Sequence, residues 1–362
     1  MAELLSDRES KILGIIETAR GKPAKFRDPH ITMSHGAGGK ASSSLIEGLL
    51  VPAFDSPSLD ALADAGIVEI DGLDLALTTD SFVVKPLRFP GGSIGELAVN
   101  GTVNDLAMAG ARPLALTLSL VLEEGLPAEA LRLEVEAIAR AAREAEVQIV
   151  AGDTKVVERG HADGMYICTT GLGHRDPRAT LAPSHLRPGD RILLSGTIGE
   201  HGTAIMLARG ELGLDADIES DTCSLWPAVD GLLDAAGEGL HCLRDGTRGG
   251  VASVLNELAR ASRVAMVVRE AAVPVQPVVA GAAEILGIDP MYVANEGKFL
   301  AFVEPGQAEQ VLAALRAIPG GDAAAEIGEV KADPPGMVLV ETAFGGRRVM
   351  DQLVGDPLPR IC

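Results

Sequence analysis

The chain has 362 residues, of which 47% are apolar and 23% charged, with a formal net charge of −20. This describes a folded globular protein long enough for two ordinary domains, and it excludes a disordered chain. The acidic excess excludes a nucleic-acid binder, which needs a basic face for phosphates, and it argues against a membrane-surface protein; no apolar run is long enough to cross a bilayer.

Residues 1–29 read as an N-terminal extension, with a short helix over Leu5 to Arg20 and a polar, proline-containing link. The first residues have no secretory pattern, which points to the cytoplasm. Residues 30–175 form the first expected domain. A glycine-rich segment opens it, followed by a strand over Leu73 to Thr79, a helix over Ile94 to Ala111 and a strand over Leu114 to Val121. Pro127 to Glu146 reads as a long amphipathic helix with proline near its start, where it is tolerated. Val147 to Ala151 and Met165 to Gly171 read as further strands.

Prolines and turn formers over 175–190 place a boundary there, so that residues 176–350 form a second domain. Its pattern runs strand Arg191 to Ser195, helix Gly202 to Arg209, helix Leu225 to Ala236 and helix Gly250 to Ser262. Strand Val264 to Val268, helix Val278 to Leu286, strand Lys298 to Val303 and helix Gln307 to Ala317 follow, with strands near Ala325 and Val338. Strands alternating with helices in both halves mean an α/β or α+β sandwich class. Residues 351–362 read as a flexible tail ending in Cys362, which at roughly 3.3 Å per residue could reach about 40 Å.

The four cysteines are Cys168, Cys223, Cys242 and Cys362. Without a CxxC pair they form neither a zinc motif nor a disulfide framework. Cys168 and Cys242 lie in apolar runs and read as core. Cys362 carries both a thiol and the terminal carboxylate, and by position alone it is either an incidental surface cysteine or a travelling nucleophile.

Ser34-His35-Gly36-Ala37-Gly38-Gly39-Lys40 is a glycine-rich loop with a lysine, but neither a Walker A loop nor a dinucleotide fingerprint. It suits a flexible cover for a polyphosphate or an ordinary mobile loop. Asp80, Asp105 and Asp153 stand at the ends of apolar elements, and Asp245 lies in Arg244-Asp245-Gly246-Thr247-Arg248-Gly249-Gly250, before a helix. Each could cap a helix or close a turn; as a set they suit Mg²⁺, which prefers hard oxygen ligands shared with phosphates. Lys155 in Gly152-Asp153-Thr154-Lys155 and Glu296 in Asn295-Glu296-Gly297-Lys298 could form an acid–base relay or surface ion pairs.

From Ser34 to Cys362 these motifs, in this order, resemble the hydrogenase-maturation carbamoyl dehydratase (HypE) family. That family lies within the superfamily of aminoimidazole ribonucleotide synthetase and selenophosphate synthetase. The resemblance rests on the loop at 34–40, Thr79-Asp80-Ser81-Phe82, Phe89-Pro90-Gly91-Gly92 and Asn100-Gly101-Thr102-Val103-Asn104-Asp105. It also covers Gly152-Asp153-Thr154-Lys155, Arg244-Asp245-Gly246-Thr247-Arg248-Gly249-Gly250, Asn295-Glu296-Gly297-Lys298 and the terminal Pro359-Arg360-Ile361-Cys362.

It implies a two-domain PurM-like ATP-binding fold whose N-terminal domains pair as a homodimer. It implies that Cys362 receives a carbamoyl group from the carbamoyltransferase HypF, and that ATP drives dehydration of the S-carboxamide to a thiocyanate. The cyanide would pass to a HypC–HypD iron scaffold for the NiFe-hydrogenase centre. Glu296 and Lys155 would then handle protons. Gly36, Gly38, Gly39, Lys40, Asn104 and Thr247 would lie against ATP, and Asp80, Asp105, Asp245 and Asp153 would hold Mg²⁺. Two rival readings are a selenophosphate synthetase-like enzyme with a free small-molecule substrate and a non-catalytic cysteine carrier.

Overall fold

The computed structural model describes residues 25–59, 62–210, 216–355 and 360–362; the helix expected over Leu5 to Arg20 and the tail prolines Pro357 and Pro359 lie outside them. Strands β1 (Gly66–Ile70) and β2 (Leu73–Phe82) begin the first sheet, and β3 (Arg88–Phe89) and β4 (Gly92–Ser93) form a small separate pair. With β5 (Ala111–Glu123), β6 (Gln148–Val157) and β7 (Met165–Arg175), the first sheet has the order β1-β2-β7-β5-β6. Among the described residues of that sheet, only the β5–β6 pairing is parallel.

Helices α1 (Ile94–Met108) and α2 (Ala128–Glu144) cover one face of that sheet. The cover is close: a Cβ at Gly171 of β7 would stand 2.7 Å from Thr102 of α1. In α1 every residue except Glu96 and Asp105 is buried. A helix apolar all round sits inside a protein rather than on it. Accordingly its C-terminal end, Ala107 and Met108, joins the core of the second half.

The second sheet consists of β8 (Arg191–Leu194), β9 (Leu240–Asp245), β10 (Ala265–Arg269), β11 (Phe299–Val303), β12 (Ala325–Lys331), β13 (Val338–Glu341) and β14 (Arg347–Met350). Its order is β14-β13-β10-β12-β8-β11-β9. Helices α3 (Glu200–Ala208), α4 (Trp226–Ala236), α5 (Gly250–Ser262), α6 (Pro277–Leu286) and α7 (Ala308–Ala317) accompany it. In β11, Leu300 and Phe302 enter the core formed with α5, while Phe299, Ala301 and Val303 enter the core formed with α4 and α7. A strand buried on both faces is why this segment reads as an unbroken apolar run.

β1 and β9 were not anticipated as strands. Leu240 to Leu243 has no alternation because β9 is buried on both sides; it read only as core around Cys242. Cys242 is indeed buried, but Cys168 is only half-buried. The pleat of β7 turns Ile167 and Thr169 inward, so Cys168 points to the face the helices leave uncovered.

Candidate active site

Four acidic side chains meet where the two halves join. Asp105 projects from α1, Asp80 from β2, Asp245 ends β9, and Asp64 precedes β1. Asp64, Asp105 and Asp245 each offer a carboxylate oxygen within 4.8 Å of the others. Asp80 and Asp105 share a side-chain hydrogen bond. Thr78 Oγ1 donates to Asp105 at 2.7 Å, and Arg244 Nε pairs with Asp64 at 2.9 Å.

Burial, reinforced by the neighbouring carboxylates, raises Asp105 and Asp245 well above the usual carboxylate range. Burial likewise raises Asp64 to about 6, against the pull of Arg244. Such groups hold charge together only if a cation shares it, and an all-oxygen donor set fits Mg²⁺. Asp64 was absent from the sequence reading, since nothing in its local segment marks it. Asp153 stands outside this group. It lies on β6, 60% exposed, its carboxylate 2.5 Å from Nζ of Lys155, itself 65% exposed. Among the described residues, the ion pair of Lys155 is therefore with Asp153 and not with Glu296.

Glu296 is 4% exposed. Burial, then the charges of Asp221, Asp245 and Asp80, push its carboxyl well above the ordinary range, against the pull of Arg248. Its main chain is clamped from behind: Asp221 accepts the N–H of Glu296 at 3.0 Å and of Gly297 at 3.2 Å, and Lys298 Nζ at 3.2 Å. Asn104, expected at the nucleotide, is committed to the protein. Its amide donates to the carbonyls of Cys223 at 2.9 Å and Glu296 at 3.1 Å, and its oxygen accepts from Leu225 at 2.8 Å. Asn104 thus ties α1 to both segments flanking the site.

The glycine loop divides. Gly36 lines a cavity of about 230 Å³ together with Ser81, Val83, Arg248 and Cys362, and a Cβ there would meet nothing within 4 Å. At Gly38 and Gly39 a Cβ would stand 2.6 Å from the carbonyl oxygens of Arg248 and Leu353, so these two glycines admit other backbone. Lys40 pairs with Asp351 at 2.7 Å, at the start of the tail. Thr247 lies in the turn before α5, half-buried, next to Arg248 of the cavity wall.

The tail's last residues are seated in the site. Lys85 N–H donates to the Arg360 carbonyl at 3.4 Å, and Arg209 Nη2 donates to that same carbonyl at 2.6 Å. Arg360 pairs with Asp163, donates to Val83 O, and lies 5.9 Å from the centroid of Tyr166. Ile361 is 4% exposed and belongs to the same apolar core cluster as Phe82, Val84, Ile205 and Ala294. Apolar burial of one side chain with several main-chain bonds offsets the ordering of a short segment, which is why a stretch that reads as free comes to rest here. Cys362, then Asp80 and Glu296, hold Arg248 protonated above its ordinary value, so Arg248 links the chain's end electrostatically to the carboxylates.

Residues 62–174 match the family of the AIR synthase related protein, N-terminal domain, and residues 187–341 that of its C-terminal domain. The carbamoyl dehydratase HypE of Bradyrhizobium diazoefficiens is 49% identical over 337 residues, covering 93% of this chain and 97% of that protein. The crystal structure of a HypE–HypF complex superposes with a TM-score of 0.81 at 45% identity, covering 85% of this chain and 99% of that one. HypE in complex with ATP superposes with a TM-score of 0.77 at 46% identity, covering 92% and 100%.

Two α/β halves with acidic residues converging at their junction are those of an AIR synthase-related protein with a PurM-like fold. Within that class, the chain belongs to the carbamoyl dehydratase HypE family. Among the described residues, no helix is long and apolar enough to cross a membrane.

Proposed function

We propose that this chain catalyses the ATP-dependent dehydration of an S-carbamoyl group on Cys362 to a thiocyanate, supplying cyanide for a NiFe-hydrogenase centre. The observation that carries the reading is the seating of Cys362 in a cavity walled by Gly36, Ser81 and Arg248, the last of which also feels the charges of Asp80, Glu296 and Asp105. A relative solved with ATP supports the nucleotide, and one solved with HypF supports that protein as carbamoyl donor. A HypC–HypD scaffold would accept the cyanide.

An amide oxygen leaves poorly; as phosphate it leaves readily. The overall change is RS–C(O)NH₂ plus ATP to RS–C≡N plus ADP and phosphate, with both amide protons lost. ATP supplies the phosphoryl group, and Mg²⁺ shared among Asp64, Asp80, Asp105 and Asp245 would neutralise charge on it. Arg248 holds the chain's end against the same charges. Glu296, buried and poorly solvated as an anion, is basic enough to take a proton from the amide nitrogen. Asp221 and Asn104 fix its main chain, so the carboxyl is held rather than free to rotate away.

Lys155 retains its place in the proton relay on the strength of the resemblance, and it stands on an uncovered surface. Ile70, Leu73, Leu77 and Val150 of the first sheet are 43–61% exposed. An apolar patch of this kind favours association, here with a second copy through the first sheet, which would enclose the β6 strand carrying Lys155.

The test supplies HypF, carbamoyl phosphate and ATP, and weighs the C-terminal peptide. A thiocyanate on Cys362 supports the reading, whereas a stably carbamoylated or unmodified thiol sinks it.

A further inference from the structure

His201, on α3, is fully buried and takes no part in the chemistry above. Its Nε2 lies 3.0 Å from the carbonyl oxygen of Ile361, one residue before the thiol. Its Nδ1 lies 2.8 Å from Ser220 Oγ. The Ile361 carbonyl can only accept, so Nε2 carries the ring proton of the neutral imidazole and Ser220 Oγ–H donates to Nδ1, while Ser220 Oγ accepts the N–H of Thr222 at 3.2 Å. That assigns the tautomer: Nδ1 accepts, and Nε2–H donates to Ile361. The edge of the ring packs against Phe89, 5.6 Å between centroids, which fixes its plane. Burial holds the imidazole neutral, and Glu296 Oε1 lies 4.0 Å from the same Nε2.

We propose that His201 is a positioning residue for the tethered substrate. Its locked Nε2–H grips the last peptide carbonyl before Cys362 and seats the loaded thiol beside Glu296. The inference rests on the reading that Cys362 carries the substrate into this cavity. The donor is buried, so an empty seat leaves it without the tail as acceptor, and the cost of that loss favours the seated tail. The grip addresses main chain and is indifferent to the group on the sulfur. It therefore holds the free, carbamoylated and cyanated forms alike, while Arg209 holds the carbonyl one residue earlier.

The experiment compares His201→Leu, which keeps bulk and loses the donor, with His201→Gln, which keeps a donor. Each full-length variant is incubated with a non-hydrolysable ATP analogue, and alkylation of Cys362 by iodoacetamide is followed by mass. Single-turnover conversion of carbamoylated Cys362 and analogue affinity are measured alongside. The leucine variant should alkylate about tenfold faster, the effect of losing one buried hydrogen bond. It should convert correspondingly slower with analogue affinity unchanged, and glutamine should recover most of the loss.

Alkylation of the leucine variant at the unsubstituted rate, or a glutamine variant as fast as leucine, overturns the proposal. Should the leucine variant fail to fold, Ser220→Ala frees the tautomer and must raise the alkylation rate; no rise overturns the proposal equally. If the unsubstituted chain makes no thiocyanate, the functional reading fails, and the alkylation rates still decide the role of His201.

Discussion

The main-chain N–H of Val83 donates to the main-chain oxygen of Cys362 at 3.1 Å, so the last residue of the chain is paired to the segment that leaves β2. Because the thiol is delivered by main-chain contacts, its chemistry and its seating are separable. Cys362→Ser should leave the fold and ATP affinity within about twofold while abolishing the thiocyanate product. The masses of the C-terminal peptide after incubation with HypF, carbamoyl phosphate and ATP check this.

Glu296 is a buried acid surrounded by like charges, which is costly for the fold and useful for taking a proton. Glu296→Gln keeps the shape and removes the titratable group. Dehydration should fall by about 10²–10⁴-fold, the usual worth of a positioned base. The thermal midpoint should stay level or rise, since the substitution removes like-charge repulsion. Single-turnover rates and a melting curve on the same preparation test both halves.

The acidic group dictates a pH response of opposite sign to that of a carboxylate whose partner lowers its pKa, because here burial outweighs the pull of Arg244. Asp64 is raised from 3.8 to about 6 in the folded chain. Its contribution to stability is therefore fully present below pH 3.8 and is lost as pH rises through about 6. Asp105 and Asp245, raised further, extend the loss upward. Metal-free protein should lose stability on going from pH 5 to pH 7.5, and millimolar Mg²⁺ should restore it mainly at the higher pH. Denaturation midpoints with and without Mg²⁺ across that range decide it; a Mg²⁺ effect equal at both ends would count against the assignment.

The clamp behind Glu296 is a buried ion pair, with Asp221 4% and Lys298 14% exposed at their side chains. Removing one partner leaves the other charge stranded. Asp221→Asn should cost about 3 kcal/mol of folding stability and lower the dehydration rate by unfixing Glu296. Asp221→Asn together with Lys298→Met should recover a good part of the stability and little of the rate. Urea titrations of the single and double variants, with rates measured in parallel, separate the two effects.

If two copies pair through the uncovered sheet, a charge placed in that patch must part them. Val150→Asp should shift the chain toward monomer at micromolar concentration and reduce turnover, whereas Ile285→Asp, at an exposed site on the other half, should do neither. Sedimentation velocity of both variants gives the outcome.

Much of this architecture is written in the sequence, because it depends on local pattern. Helix α5 was readable over Gly250 to Ser262, with glycines before it and apolar residues at helical spacing; the structure has those bounds. Asp105 was readable as an acid in an apolar element, where the structure sets it within α1, and Asp245 as an acid before the helix that begins at Gly250. Asp64 and His201 were not, because their meaning depends on partners far along the chain. Asp64 acquires its role from Arg244 and Asp245, and His201 from Ile361, 160 residues away. Asn104 was assigned to the nucleotide, yet its amide is absorbed in bracing. A single residue in a glycine- and asparagine-rich motif does not reveal which way its side chain faces.

One strand end serves two purposes. Asp80 of the acidic group and Val83, which pairs with Cys362, are three residues apart on the same extended segment. At roughly 3.3 Å per residue that spacing is about 10 Å. Both ends of that interval lie in the first half of the protein, so one carboxylate of the acidic group and the main-chain partner of the chain's end are spaced by covalent backbone, as on a ruler.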